Sequence, residues 1–207
     1  MTPPDDRTPL LCLASNSPRR RELLTQIGVP HRVRAANVDE SVHPGERAAD
    51  YVRRLARSKA LAVAALGEPL PVLAADTIVV LDGLLCGKPA DEAEGAAMLE
   101  RLSGRTHEVL TAVALSRAQQ EPSLRVSSSA VRFRTLSRAE CLAYWRTGEG
   151  RDKAGGYAIQ GRAAVFIEHL SGSYSGVMGL PLFETADLLL EAGVPYWHDA
   201  VSAGAQR

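Results

Sequence analysis

The 207-residue sequence carries no net charge: 24 lysines and arginines balance 24 aspartates and glutamates. No overall field draws such a chain to nucleic acid or to an anionic membrane, so any anion site must be built locally. Cysteine is scarce. Cys12, Cys86 and Cys141 are too few and too scattered for a disulfide framework or a zinc site. They read as small apolar residues in a reducing, cytoplasmic setting. No apolar run reaches the roughly 18 residues of a membrane span. Aromatics make up only 5% of the chain, and no basic patch interleaved with them suggests a nucleic-acid-binding module. Internal repeats and low-complexity blocks are lacking as well.

What is present suits one generous domain or two lobes sharing a core: 45% of residues are hydrophobic and 23% charged. "PLLCLA" reads as a buried first strand. A helix follows over about Pro18 to Ile27, with Ser17 as N-cap, Pro18 in the first turn and Gly28 at the stop. "HRVRAANV" alternates as a weak second strand. A long helix closes at Gly67, with Tyr51, Leu55, Ala62 and Leu66 on its apolar face. "LPVLAADTIVVLDG" is the most apolar strand and "PADEAEGAAMLERLSG" a third helix. "EVLTAVALS" and "RVSSSAVRFRTL" form a hairpin around a polar loop, Ala118 to Ser123. "SRAECLAYWRTG" is a helix, "AAVFIEHL" a strand and "LPLFETADLLLEAG" the last helix. The alternation argues an α/β fold with a mixed sheet.

Five features bear on chemistry. In "ASNSPRRREL", Arg19 and Arg20 occupy the first turn of a helix whose N-terminus is already positive. The placement makes sense if an anion sits there, gripped by free N–H groups, the helix dipole and two guanidinium forks, with Ser15 and Ser17 as further donors. A solvated basic face is the alternative. In "AADTIVV", Asp76 and Thr77 interrupt a run that should be wholly buried. A buried carboxylate is paired, metal-bound or functional. Asp76 suits magnesium, a hard cation that takes oxygen ligands, and Thr77 can hydrogen-bond a substrate edge. In "VDES", Asp39 and Glu40 are adjacent, so in extended chain only one of them faces a site. Lys88 in "GKP" lacks the spacing and following hydroxyl of a P-loop but can serve phosphate as a point charge; Lys59 reads first as a charge on a wet helix face. Finally, five glycines between Gly148 and Gly161 imply backbone close to a ligand, with Gln160 placed to read a base edge and Lys153 adding charge. His107 and His169 have no metal-ligand spacing and read as structural.

Taken in order from Leu13 to Leu182, "LASNSPRRRELL", "VDES", "RLARSKA", "ADTIVVLDG", "GKP", "LSGRTHEVLTAVAL", "DKAGGYAIQG" and "GSYSGVMGLPL" resemble the Maf family of nucleoside triphosphate pyrophosphatases. The resemblance implies a mixed central sheet flanked by helices, with two lobes around a cleft, as one domain over residues 9–198; the polar, proline-rich start at 1–8 and the end at 199–207 read from their residues as flexible tails. It implies cleavage of a nucleoside triphosphate to monophosphate and pyrophosphate with a divalent cation, Mg²⁺ or Mn²⁺. Asp76 matches the family's proton acceptor. Arg19, Thr77 and Gln160 match positions linked to substrate choice. Ser15, Arg20, Lys59 and Lys88 match other cleft positions, and Glu40 one near the metal, which Asp76 would share. "DKAGGYAIQG" resembles the branch acting on dTTP and UTP; the 7-methyl-GTP branch lacks that form. Asn16, Cys86 and Gly176 depart from the commoner pattern, and Gly176 leaves the substrate range open. The likeness admits a homodimer. The resemblance extends the substrate range to modified pyrimidine nucleotides; a nucleotide-binding regulator of cell division with little turnover and the 7-methyl-GTP-type branch of the same family are the alternative readings.

Overall fold

The computed structural model describes residues 8–117 and 120–197. Of the two expected tails only Thr8 lies among them, and Ala118 and Gln119 of the expected polar loop lie outside them.

The described residues form a seven-stranded mixed sheet. Its strands are β1 (Leu11–Leu13), β2 (His31–Val33), β3 (Val72–Leu81), β4 (Leu84–Cys86), β5 (Thr106–Ser116), β6 (Ser123–Phe133) and β7 (Ile167–Ser171). The order is β2-β1-β3-β5-β6-β7, with β4 beside β3. β1 runs parallel to β2 and β3, and every other pairing is antiparallel. The helices are α1 (Pro18–Gln26), α2 (Ala48–Ala64), α3 (Glu92–Leu102), α4 (Arg138–Arg146), α5 (Tyr174–Met178) and α6 (Leu182–Glu191).

β3 is apolar at nearly every position because helices cover both sheet faces. Its even-numbered side chains Val72, Ala74, Ile78 and Val80 pack with Val52, Leu55, Ala56, Ala60 and Val63 of α2. The odd-numbered face is divided. Leu73 and Ala75 join residues of α1 and α6, including Leu23, Leu24, Leu188 and Leu189. Val79 and Leu81 join residues of α3 and α4, including Leu99, Leu102 and Tyr144. Two helical layers thus cover opposite ends of one sheet face, and the seam between them falls at Thr77.

The edge of β3 opens at the same place. β1 pairs with it at Val72 and Leu73, and β4 pairs with it only from Val79 onward. Between these pairings no described strand flanks β3 on that side. A cavity there can reach both sheet faces, so adjacent residues that point opposite ways can share it.

Several expectations need correction. Leu66 does not lie on the apolar face of α2; the helix ends at Ala64, and Leu66 falls in the following turn, 59% exposed. The face is instead Tyr51, Val52, Leu55, Ala56, Lys59, Ala60 and Val63. The strand expected over "AAVFIEHL" begins only at Ile167, because Arg162–Phe166 is a 3₁₀ turn that buries Ala163 and Phe166 on one side. β4 was not expected, although Asp82-Gly83, both at positive φ, is the turn dipeptide of a tight hairpin. Ser17 precedes α1 as expected, but its hydroxyl makes no cap.

Candidate active site

One cavity of about 440 Å³ is lined by Ser15, Arg19, Arg20, Glu40, Lys59, Asp76, Thr77, Lys88 and Gln160. Nine of the residues singled out from the sequence therefore meet at one place, though they lie up to 145 positions apart in the chain (15 to 160). They arrive from α1 and the turn before it, the loop after β2, the buried face of α2, the open-edged stretch of β3, the loop after β4 and the glycine-rich loop.

The α1 turn is locked by Arg20. Its Nε donates to Gly179 O at 2.7 Å, Nη1 to Ser15 Oγ at 3.2 Å and Nη2 to Thr77 Oγ1 at 3.3 Å. Ser15 Oγ also accepts the Ser17 N–H at 3.2 Å, which shapes the entry to the helix. Arg20 is thus committed to the cavity wall. Burial, reinforced by the Arg19 charge, lowers its guanidinium pKa, and the Asp76 and Glu40 charges oppose that shift. Arg19 is freer, with Asp152 Oδ2 at 3.6 Å as its ion-pair contact. No side chain caps the first turn of α1 and no acid stands in it, so Arg19 and the helix terminus present a positive surface to the cavity.

The carboxylates meet on Lys59. Its Nζ lies 2.7 Å from Asp76 Oδ1 and 2.6 Å from Glu40 Oε1. Contrary to the expectation of a wet helix face, Lys59 is only 9% exposed. Tyr51, Leu55, Lys59 and Val63 recur every four residues along the buried stripe of α2, and that spacing was the signal available. Glu40 is held further by Tyr51, whose hydroxyl donates to its carbonyl at 3.0 Å, and Lys88 Nζ stands 3.7 Å from its Oε2. Asp39 turns away and accepts the Ser41 N–H at 2.9 Å.

Burial raises the Asp76 carboxyl above the ordinary aspartate range, although the Lys59 charge and hydrogen bond and the Arg20 charge oppose it. Glu40 ends below its usual range. Partial burial would raise it, but its hydrogen bond to Lys59 and the charges of Lys59, Lys88 and Arg20 prevail. One carboxylate is therefore tuned toward proton acceptance and the other toward staying ionised.

The cavity also has an apolar wall: Val79, Val109, Tyr157, Ile159, Val177 and Met178, with Gln160 beside it. The glycine-rich loop that carries Gln160 packs too closely for a Cβ at several of its glycines. A Cβ on Gly150 would stand 2.0 Å from Gly156 O, and one on Gly155, at φ 70°, would stand 2.9 Å from Val79 Cγ2. Gly155 N also donates to Gly87 O at 3.0 Å, which ties the loop to the segment bearing Lys88.

A family model described as Maf-like protein matches residues 10–192. The chain belongs to the Maf family. Relatives of this Maf chain include the dTTP/UTP pyrophosphatase of Saccharophagus degradans, 52% identical over 198 residues and 94% of each chain. That of Alkalilimnicola ehrlichii is 55% identical over 194 residues, 91% of this chain and 95% of the relative. The Ham1 protein of Staphylococcus aureus superposes with a TM-score of 0.44 at 17% identity, covering 59% of this chain and 71% of that one.

Residue reasoning missed Asp152, Val177 and Met178 of the Maf cavity. Asp152 opens "DKAGGYAIQG", but a lone acid in a polar loop carries no signal of its own. Val177 and Met178 belong to the short α5, whose five residues carry too little periodicity to be recognised.

Proposed function

We propose that this Maf chain hydrolyses dTTP and UTP to the monophosphate and pyrophosphate. The observation that carries this reading is the cavity where the arginine turn of α1 and the Lys59-bridged carboxylates Asp76 and Glu40 face a common space. The 52% and 55% identical relatives, both named dTTP/UTP pyrophosphatase, support the substrate class. The enzyme is a hydrolase acting on acid anhydrides.

Arg19, the α1 terminus and Lys88 bind the phosphate chain. Arg20 holds Ser15 and Thr77 in place. Asp76 accepts a proton from the water that attacks the α-phosphorus; the α–β anhydride bond breaks and pyrophosphate leaves. A raised carboxyl pKa suits that duty. Gln160 and the apolar wall receive the base.

The donor set fits a divalent cation. Asp76 and Glu40 supply hard oxygens in one cavity, and no cluster of three or more ligating side chains occurs among the described residues. Two carboxylates completed by phosphate oxygens and water is the manner in which Mg²⁺ is commonly held. When bound, Mg²⁺ or Mn²⁺ would neutralise charge on the reacting phosphates. The buried, unpaired thiols of Cys12, Cys86 and Cys141 support a reducing, cytoplasmic compartment. We read residues 9–198 as one functional unit, compatible with a homodimer and without a nucleic-acid or membrane partner.

The test is a panel of nucleoside triphosphates with Mg²⁺ or Mn²⁺, resolving monophosphate, diphosphate, pyrophosphate and orthophosphate. Monophosphate plus pyrophosphate from dTTP and UTP is expected. Diphosphate plus orthophosphate would place the broken bond elsewhere, and tight binding without turnover would favour the regulatory reading.

A further inference from the structure

Thr77 and Thr111 stand directly opposite each other on β3 and β5, at the seam between the two helical layers. Thr77 lines the cavity; Thr111 is 1% exposed and lies behind it. Their hydroxyl oxygens are 3.0 Å apart, and Thr111 Oγ1 is 2.8 Å from Gly176 O. These distances fix a direction. A carbonyl can only accept, so the single Thr111 hydrogen must go to Gly176; otherwise two oxygen lone pairs would meet at 2.8 Å. Thr111 then has no hydrogen left for Thr77, so Thr77 donates to Thr111.

The consequence falls on the cavity. The Thr77 hydroxyl hydrogen points inward, and one Oγ1 lone pair accepts Arg20 Nη2 at 3.3 Å. The remaining lone pair is what Thr77 presents to a ligand. Thr77 therefore meets the cavity as an acceptor and not as a donor. Its neighbour on the same sheet face is Val79, so this acceptor adjoins the apolar wall.

We propose that Thr111 is a positioning residue for base selection: through Gly176 it holds Thr77 as an acceptor that favours a base edge bearing a ring N–H. Uracil and thymine carry such an N–H at N3, whereas cytosine has a lone pair there. The relay would set acceptor against acceptor for cytosine, a mismatch in a partly desolvated site. This inference rests on the proposed pyrimidine triphosphate hydrolysis.

Thr111→Val keeps the shape and removes the relay, which frees the Thr77 hydroxyl to rotate. The kcat/KM ratio for UTP over CTP should fall at least tenfold, while Thr111→Ser keeps it within about twofold of wild type. Thr77→Val should lower the same ratio, and adding Thr111→Val to it should cause little further change, because both act through one hydroxyl. A purely structural role predicts that Thr111→Val slows UTP and CTP equally and leaves the ratio unchanged; that result would overturn the proposal. If Thr111→Val does not fold, wild type with 3-methyl-UTP decides: turnover equal to that of UTP removes any need for the N–H. Wild type inactive on every pyrimidine triphosphate would instead sink the underlying hydrolase reading.

Discussion

Lys59 Nζ lies 2.7 Å from Asp76 Oδ1, a nearly buried ion pair that joins α2 to the open-edged stretch of β3. The same ammonium contacts Glu40, so one charge from α2 is shared between two carboxylates. Removing either member of a buried pair leaves the other uncompensated.

Lys59→Met should therefore lower kcat by about 10²-fold or more and cost roughly 3 kcal/mol of stability, less where Asp76 escapes by taking up a proton. Lys59 lowers the Asp76 pKa, so its loss raises that pKa and moves the acid limb of the kcat/KM profile to higher pH. Asp76→Asn should abolish turnover while nucleotide binding and fold persist. Rate profiles against pH, with calorimetric unfolding, check both variants. An unmoved acid limb in Lys59→Met would remove Asp76 from the role of proton acceptor.

Arg19 and Arg20 are adjacent but should answer differently to substitution. Arg20 makes three hydrogen bonds in a fork that lysine cannot reproduce. Arg20→Lys should cost about 2 kcal/mol, a Tm loss of roughly 4–8 °C, together with activity. Arg19, paired only loosely with Asp152, should tolerate Arg19→Ala with little change in Tm but a KM increase of roughly tenfold. Equal thermal losses in the two variants would contradict the division of labour.

His107 predicts a pH dependence of stability. It is 2% exposed, its Nε2 is 2.8 Å from the Tyr157 hydroxyl, and its Nδ1 has no partner among the described residues. Burial lowers its pKa from 6.5 to about 4. Between those values the unfolded chain takes up a proton that the folded one refuses, so stability falls as pH drops from about 6.5 toward 4. The loss from this group is on the order of 3 kcal/mol. His107→Gln keeps polar atoms without that titration, and the gap between its Tm and that of wild type should narrow over this interval. Parallel Tm–pH curves would show that His107 titrates normally.

Local chemistry told much of this from sequence. The Ser-Pro-Arg-Arg start of α1, the β5–β6 hairpin strands and the glycine requirement of the 148–161 loop all follow from neighbours a few positions apart. The polar interruption of β3 marked Asp76 and Thr77 without any coordinates. Packing alone decided what those residues face. Lys59 is an exposed-type residue until α2 docks and sets it between Glu40 and Asp76, from 19 positions after the one to 17 before the other. Asp76 and Thr77 point to opposite faces of one strand, and they share a cavity only because β1 stops early and β4 starts late along its edge. Such meetings depend on the register and docking of elements far apart in the chain, which no short stretch of residues encodes.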